Sequence, residues 1–373
     1  LEIDSDLQKH LYESLERSRQ VHKATGASGI IIEAKTGAIL AQVSLPSFDA
    51  SLFLQPQAST KIRELLNDET KPLFNRTLQG LYPPGSTIKP FLALAALEEQ
   101  IIDPEKKVST PLAIFVPNEY NPSIIYRFPD WRDHGYLNMA EALAWSSNVY
   151  FYTIGGGYQG VKGLGIERIV EWLRKFGFGR ALAMDASGEA QGFLPTPSWK
   201  ERTKDEPWTL GDTYHVAIGQ GDLLVTPLQV AAATAVIANG GTLLAPHIVR
   251  ELRLRDREII EEKTSKVLAT NLVDDKSLEV IREGMKQAIK RGTISTFYSF
   301  QGPLYGKTGT AQASKSRIYS WFTGFLDLKN SPIVVTIMLE GGQGGDSTAA
   351  PVAREILEWY QKERVPIEDP DNF

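Results

Sequence analysis

The distribution of strand-like and helix-like segments along this chain is the feature that most constrains its fold. Apolar segments rich in β-branched residues occur at 29–43 and again at 304–339, whereas helical periodicity fills most of the sequence between them. Strands at the two ends bury their apolar faces most simply by pairing with each other. The sequence therefore predicts an α/β fold of the α+β kind, with one antiparallel sheet flanked by helices and a large all-helical insertion.

The same pattern predicts how the chain is divided. A segment with Leu7, Leu11 and Leu15 on one helical face comes first, and no internal repeat follows it. We expect one domain with two subdomains, because sheet-forming segments flank the helical ones. The predicted parts are an N-terminal helix and linker at 1–25, a domain at 26–373, its sheet subdomain at about 26–85 and 291–373, and its helical subdomain at about 86–290.

Composition excludes several classes of function. The chain has 373 residues, 42% of them hydrophobic, so a sizeable core is expected. A net charge of −5 offers no positive surface for nucleic acid. The absence of cysteine excludes disulfides, a thiol nucleophile and cysteine-bound zinc. No apolar run reaches the roughly 18 residues of a membrane span, and the first residue is Leu, so we expect a fragment of a longer protein.

Ser86 and Lys89 form the only Ser-x-x-Lys in the sequence, at the start of a helical run rich in Ala and Leu. Positions i and i+3 share one face of a helix, so the hydroxyl and the amine can meet. A serine becomes a strong nucleophile when a base removes its proton, and a lysine whose charged form is disfavoured by burial can be that base. The alternative interpretation is a serine cap followed by an exposed lysine.

Ser146, Ser147 and Asn148 contain the only Ser-x-Asn, inside a segment that is otherwise apolar. Buried hydroxyl and amide groups require partners, which a catalytic cleft supplies. In such a cleft Ser146 would relay a proton to or from Lys89, and Asn148 would hold a substrate amide. A helix end capped by its own Ser and Asn side chains explains the same residues without catalysis.

Lys-Thr-Gly occurs twice, in different contexts. Residues 35–37 separate two strands and are explained as a turn. The second copy continues a strand pattern, and glycine inside a strand often marks the close approach of another backbone or a ligand. Its hydroxyls would bind a carboxylate and its lysine would add positive charge, if the strand presents its edge to the cleft. The predicted substrate-binding residues on this strand are Lys307, Thr308, Gly309 and Thr310. The backbone N–H groups of Thr310 and Ser86 would form an oxyanion hole.

Ser-x-x-Lys together with Lys-Thr-Gly is a signature of penicillin-binding proteins and class A β-lactamases. The sequence at 80–90, Gly-Leu-Tyr-Pro-Pro-Gly-Ser-Thr-Ile-Lys-Pro, resembles the active-site helix entry of class B penicillin-binding proteins, particularly the elongation type (penicillin-binding protein 2-like). The division type usually has Glu at the position of Pro84. The resemblance extends over nearly the whole chain from about residue 25, and it implies the penicillin-binding protein/serine β-lactamase-like transpeptidase fold. The other segments that carry it are 146–152, 218–221, 226–229, 307–312, 321–325 and 341–351.

The resemblance implies a peptidoglycan D,D-transpeptidase. Ser86 would attack the carbonyl between two D-alanines of a stem peptide, with Lys89 as the base and Ser146 passing the proton to the leaving amine. Asn148 would position the peptide, and the strand at 307–310 would hold its carboxylate. An amine from a neighbouring strand would resolve the acyl-enzyme, and β-lactams would acylate the same serine as substrate mimics.

The resemblance also implies a cellular setting. An elongation-type enzyme works in cell-wall synthesis on the extracytoplasmic (periplasmic) face, beside a membrane glycosyltransferase. We therefore expect an N-terminal membrane anchor in the full-length protein, outside this sequence. No cofactor and no nucleic-acid partner are expected.

Two alternatives on the same fold stay open. A serine β-lactamase needs a base that activates deacylating water, usually a positioned Glu, and no Glu here belongs to a recognisable motif. A β-lactam sensor would bind the drug and signal through parts outside this sequence. Rapid turnover of a β-lactam would indicate a β-lactamase, and stable acylation a transpeptidase.

Asp130, Asp133 and His134 are close enough in sequence to suggest a metal site. Some elongation-type relatives are similar in carrying a zinc there, completed by a cysteine at the position of Ser147. Because this chain has a serine at that position and no cysteine, we expect no metal and a solvated acidic loop.

Overall fold

The computed structural model describes residues 1–118, 121–254, 259–314, 317–329 and 331–365. The helices are α1 Ser5–Val21, α2 Ser59–Asn67, α3 Lys89–Glu98, α4 Met139–Trp145, α5 Asn148–Gly156, α6 Ile166–Lys175, α7 Pro197–Lys204, α8 Leu210–Ala217, α9 Pro227–Ala238, α10 Asp275–Lys290 and α11 Ala350–Arg364. The strands are β1 Ala27–Glu33, β2 Ile39–Leu45, β3 Val108–Thr110, β4 Ala113–Pro117, β5 Ile125–Pro129, β6 Gly135–Leu137, β7 Leu243–Leu244, β8 Glu251–Arg253, β9 Ile259–Glu262, β10 Val267–Ala269, β11 Leu304–Ser314, β12 Arg317–Leu326 and β13 Ile333–Glu340.

The main sheet has the strand order β11-β12-β13-β1-β2, and all neighbouring strands are antiparallel. Two strands come from the start of the chain and three from its end, which confirms the predicted assembly. β1 is buried on both faces, since successive isoleucine side chains point to opposite faces of the sheet and each face is covered by a core. Ile30 and Ile32 join the core that contains α3 and α9, whereas Ile31 joins the core beneath α1 and α11.

α1 follows directly from its sequence pattern. The Asp4 carboxylate accepts hydrogen bonds from the first turn of the helix and caps it. Leu7, Leu11 and Leu15 are completely buried against the sheet. α1 therefore packs onto the same core as β1 and β2, and the division into parts at residue 25 and into two subdomains stays a prediction.

The insertion between β2 and β11 is mainly helical, as predicted, but it is not all-helical. Its described residues also include four two-stranded ribbons, formed by β3 with β6, β4 with β5, β7 with β10, and β8 with β9. Their strands are two to five residues long, too short for an alternating pattern to be visible in the sequence. The periodicity over 138–154 predicts one helix, whereas the structure has two, because the chain turns at Ser146.

α3 is buried on nearly every side and belongs to the hydrophobic core that also contains α9. A helix that is apolar all round needs neighbours on all of its faces, which the surrounding helices and the sheet provide. The segment at Gly85–Ile88 is a 3₁₀ turn that leads into α3. Among the helices that the structure describes, none has both the length and the apolar character to cross a bilayer.

Candidate active site

Ser86 lies in the 3₁₀ turn directly before α3. It is half-buried, whereas Lys89, three residues later, is completely buried. In a 3₁₀ turn residues i and i+3 lie one above the other, so the two side chains share one side of the turn. The Thr87 hydroxyl donates to Pro84 O at 2.8 Å and holds the turn. The Ser86 hydroxyl therefore stands at a fixed helix entry beside a buried amine.

A short break between α4 and α5 carries the second motif. Ser146 has a left-handed backbone, with φ of 55°, and ends α4. Ser147 caps α5, because its hydroxyl accepts from Tyr150 N–H at 3.2 Å. The non-catalytic interpretation of this motif predicted a helix end capped by its own side chains. Such a cap is present, and Ser147 forms it. Ser146 and Asn148 are left to contact Lys89.

Two buried lysines converge on Ser146. Lys89 Nζ donates to Ser146 O at 2.7 Å and to Asn148 Oδ1 at 2.8 Å, and it lies 3.4 Å from Ser146 Oγ. Lys307 Nζ donates to Ser146 Oγ at 2.8 Å. The three sequence motifs therefore meet at one hydroxyl. The structure, in the residues that it describes, has no direct hydrogen bond between Lys89 Nζ and Ser86 Oγ. Hydrogen bonds between catalytic groups are often long without substrate and shorten when substrate is bound.

Burial makes both amines easy to deprotonate. It lowers the pKa of Lys89 to about 7, although the negative charge of Asp130 opposes this shift. Burial and the positive charge of Lys89 lower the pKa of Lys307 well below its usual range. The cause is the loss of water around an ammonium group, which disfavours the charged form. A lysine that is neutral near pH 7 is able to accept the proton of a serine.

β11 is an edge strand of the main sheet, and its free edge faces the turn that carries Ser86. Lys307 is completely buried, Thr308 is nearly so, and Thr310 is exposed. Alternation along the strand points Lys307 away from the two threonines. Its side chain nevertheless returns to the edge, where Nζ donates to Thr308 O at 3.0 Å. The structure thus has the edge presentation that the sequence interpretation requires.

Gly309 marks a close approach of two backbones, as its position in a strand predicts. A Cβ atom at this position would lie only 2.7 Å from Pro84 O. From the neighbouring strand, Trp321 Nε1 donates to Pro83 O at 3.1 Å. The serine turn and β11 are therefore in direct contact, and a side chain at position 309 would push Ser86 away from the strand.

The free edge also offers backbone donors. Gln220 Nε2 donates to Thr310 O at 3.5 Å, and Lys307 donates to Thr308 O, so both carbonyls point out of the sheet. In an antiparallel strand the N–H and C=O groups of one residue point to the same side. The Thr310 N–H is therefore directed toward the cleft, and the Ser86 N–H lies at the start of a helical segment. Two such donors are what an oxyanion hole requires.

A buried carboxylate supports the break between α4 and α5. Asp130 Oδ2 accepts from Ser147 Oγ at 2.6 Å and from Val149 N–H at 3.0 Å. Burial opposes its ionisation, but the neighbouring His134 and Ser147 and the charge of Lys89 lower the pKa of Asp130 to about 2. The expectation of a solvated acidic loop is therefore wrong at Asp130, which is a buried, ionised support of the site.

The side chains around Asp130 do not fit a zinc site. His134 Nδ1 accepts from Arg132 Nε at 3.1 Å, and its Nε2 lies 3.6 Å from Asp130 Oδ1. The Ser147 hydroxyl donates a hydrogen bond to Asp130, and Asp133 is exposed and accepts from Gly135 N–H in a turn. Structural zinc sites have four ligands, and no three His, Cys, Asp or Glu residues gather as metal ligands in the part of the chain described.

Asp130 and Gln220 belong to the site without belonging to any of its three motifs. From sequence, Asp130 is only a metal candidate, because an acid in an irregular segment gives no periodic signal. Gln220 lies within the segment at 218–221, and the glycines on either side of it are the available signal. Glycine permits close approach of backbones, and Gly85 N–H indeed donates to Gly219 O at 2.9 Å.

Comparison with known proteins shows which family the chain is similar to. The family model described as the penicillin binding protein transpeptidase domain matches residues 27–358 of the sequence. The peptidoglycan D,D-transpeptidase MrdA of Haemophilus influenzae is 33% identical over 98% of the chain, and that of Escherichia coli K12 is 30% identical over 96%. The chain spans 56% and 57% of the lengths of these two relatives, little more than half.

Solved structures show the same fold. Pseudomonas aeruginosa PBP2 in complex with WCK 5153 matches with a TM-score of 0.83 and 32% identity, over 98% of this chain and 76% of that one. A chain of the complex between PBP2 and MreC from Helicobacter pylori matches with a TM-score of 0.81 and 30% identity, over 96% and 63%. The chain therefore belongs to the penicillin-binding protein transpeptidase family, in the class B group of the MrdA or PBP2 type.

Proposed function

We propose that this chain is the transpeptidase domain of a peptidoglycan D,D-transpeptidase and that Ser86 forms the acyl-enzyme. The observation that carries the proposal is the Ser146 hydroxyl, which lies 2.8 Å from Lys307 Nζ and 3.4 Å from Lys89 Nζ. A fold that needed only a serine cap would gain nothing from two amines buried at one point, because their desolvation is unfavourable. The MrdA relatives are named for this activity.

Acylation starts when Ser86 Oγ attacks the carbonyl carbon between the two D-alanines. Neutral Lys89 takes the hydroxyl proton, which its pKa of about 7 permits. The N–H groups of Ser86 and Thr310 stabilise the negative charge on the carbonyl oxygen. The C–N bond then breaks, and the terminal D-alanine leaves as an amine after Ser146 passes it a proton from Lys89. An ester on Ser86 remains.

The substrate contacts of the site follow from which side-chain atoms already have hydrogen-bond partners within the protein, because the remaining donors are available to the substrate. Thr310 Oγ1 accepts from Gly345 N–H at 3.2 Å, so its own proton is available for a substrate carboxylate. Thr308 would complete that contact, with the amine of Lys307 held next to it by the hydrogen bond to Thr308 O. Asn148 Oδ1 is taken by Lys89, which leaves the amide NH₂ as the donor to a substrate carbonyl.

The second half-reaction reverses the proton path. The amine of a neighbouring stem peptide attacks the ester carbon, its proton passes to Lys89, and Ser86 Oγ leaves and is protonated again. The new amide bond is the cross-link. A β-lactam acylates Ser86 by the same first step, but its leaving amine stays attached after the ring opens, so the site remains blocked.

The cellular setting is part of the proposal. We infer cell-wall elongation on the extracytoplasmic face, with an anchored full-length protein working beside a membrane glycosyltransferase. Two related structures support this inference by what they contain: the Helicobacter pylori complex of PBP2 with MreC, and a peptidoglycan synthase complex that coordinates polymerization and crosslinking, matched with a TM-score of 0.79 and 29% identity.

The test is labelling with benzylpenicillin, followed by intact-protein and peptide mass spectrometry. We expect one adduct, on the peptide that contains Ser86, and none in Ser86→Ala. Ser347→Ala is the matched control, because Ser347 is an exposed serine at another helix entry, and it should label normally. An adduct elsewhere, or on Ser86→Ala, would refute the proposal.

The same experiment separates the alternatives. Rapid loss of the adduct with hydrolysed drug would indicate a β-lactamase. A stable adduct without release of D-alanine from a stem peptide in the presence of an acceptor amine would indicate a β-lactam sensor. Stable labelling together with release of D-alanine and a cross-linked product supports the transpeptidase.

A further inference from the structure

We propose that Tyr82, Glu340 and Arg76 form a positioning network that holds the serine turn at the correct distance from the substrate-binding strand. Arg76 and Glu340 lie outside the segments that identify the site, and Tyr82 lies in the segment at 80–90 but outside its Ser-x-x-Lys motif. The inference rests on the proposed function, because it concerns the rate at which Ser86 is acylated. It is carried by a chain of hydrogen bonds between the turn and the far end of β13.

Tyr82 is the first member of this network and lies shortly before the serine turn. It is 4% exposed, and its hydroxyl donates to Glu340 Oε1 at 2.7 Å. Its ring lies edge-on to the rings of Tyr319 and Trp321, with centroids 5.0 and 6.2 Å away. The side chain therefore connects the entry of the serine turn to both β12 and β13.

Glu340 is held in turn by two more donors. Arg76 Nε donates to Oε1 at 2.9 Å, and Thr25 Oγ1 donates to Oε2 at 3.1 Å. Arg76 is 4% exposed, and its other nitrogens donate to two backbone carbonyls at 2.8 and 3.2 Å. A Cβ atom at Gly26 would lie 2.0 Å from Arg76 Nε, so this glycine leaves room for the ion pair. Each of the three guanidinium nitrogens of Arg76 thus makes a hydrogen bond, which restricts the geometry of the ion pair.

The place of Glu340 in the chain connects this network to the chemistry. It is the last residue of β13, and the loop that follows contains Gly345, whose N–H donates to Thr310 Oγ1. On the other side, Trp321 fixes Pro83 O. The carboxylate is thus connected through Tyr82 to the segment before the serine turn, and its strand runs into the loop that contacts Thr310. Misplacement of reacting groups by about 1 Å lowers a rate by about 10²-fold.

The test compares Tyr82→Phe with Tyr319→Phe. Both variants keep an aromatic ring, but the Tyr319 hydroxyl has no hydrogen-bond partner among the described residues, so its loss is the matched control. Stopped-flow acylation by a chromogenic β-lactam yields the dissociation constant of the initial complex, the first-order rate constant of acylation and an amplitude that counts folded sites. The rate constant reports on positioning, and the amplitude and thermal midpoint report on stability.

We expect Tyr82→Phe to lower the acylation rate constant about tenfold, with the dissociation constant changed by less than about twofold. Tyr319→Phe should behave as the wild type. Glu340→Gln should lower the rate constant as well, and the double variant Tyr82→Phe/Glu340→Gln should be no slower than Glu340→Gln alone, because the two residues act through one contact.

An unchanged rate constant in Tyr82→Phe, with only the amplitude or the thermal midpoint reduced, would overturn the proposal and leave the network a role in stability alone. An equal effect of Tyr319→Phe would overturn it as well, because ring packing would then account for the result. A wild-type protein that is not acylated at Ser86 would instead refute the proposed function, so the two failures are distinct.

Discussion

The acylation of Ser86 should depend on pH with a midpoint near 7, because Lys89 must be neutral to accept the serine proton. Burial lowers the pKa of this lysine to about 7. A group with that pKa is about 9% neutral at pH 6, about 50% at pH 7 and about 91% at pH 8. The second-order rate constant of acylation should therefore rise about tenfold between pH 6 and pH 8 and then level off.

Asp130→Asn tests whether this pKa is set as the structure indicates. The charge of Asp130 raises the pKa of Lys89 against the effect of burial, so its removal should move the midpoint to lower pH. Ser147→Ala is the matched control. It removes the 2.6 Å hydrogen bond to the carboxylate but leaves the charge, because the pKa of Asp130, about 2, lies far below the assay range.

The assay measures the penicilloyl adduct by intact-protein mass spectrometry at short times over this pH range, with circular dichroism at each pH as a check on folding. A flat profile, or a midpoint near the ordinary pKa of lysine, would refute the assignment of Lys89 as the base. If Ser147→Ala moved the midpoint as far as Asp130→Asn, the shift would reflect altered geometry and not the lost charge.

Three further predictions follow from the same contacts. The pKa of Lys89 is about 7 in the folded state, whereas its ordinary value is 10.5, so the unfolded chain binds more protons between these two pH values. The free energy of unfolding, measured by denaturant titration, should therefore rise from pH 7 to pH 9 more steeply in the wild type than in Lys89→Met. Ser146→Ala removes the hydroxyl that both lysines contact and should lower the acylation rate constant about 10²-fold in stopped flow, with little change in the thermal midpoint. Gly309→Ala places a Cβ atom 2.7 Å from Pro84 O and should reduce both acylation and initial β-lactam binding in the same assay.

The residues of the candidate site could be named from sequence because each motif has a local meaning. Ser86 and Lys89 share one side of a helical turn at any location in a fold. A glycine inside the predicted strand at 309 indicated close approach, and the structure has the backbone of Pro84 there. The spacing could not predict which serine hydroxyl the two lysine amines contact. Ser146, and not Ser86, proves to be the hydroxyl that both amines contact.

Other features of the structure could not be predicted from the periodicity of the sequence. α7 and α8 are eight residues each, and α7 is largely polar, so neither has a long apolar stripe. The pairing of Arg76 with Glu340 joins residues that are 264 positions apart, and no local pattern reports such a pair. The role of Asp130 depends on its burial, which follows from the packing of a ribbon onto α5 and not from its own segment.

The two buried amines explain why the site is built from distant and irregular segments. Removing water from a lysine on every side allows it to be neutral near pH 7, and its N–H groups then need protein acceptors in place of water. Regular helices and interior strands use their carbonyls internally and have none to offer. Acceptors arise where α4 ends at a left-handed Ser146 and where β11 has a free edge at Thr308. The irregularities that periodicity fails to predict are therefore the features that allow Lys89 and Lys307 to be buried at all.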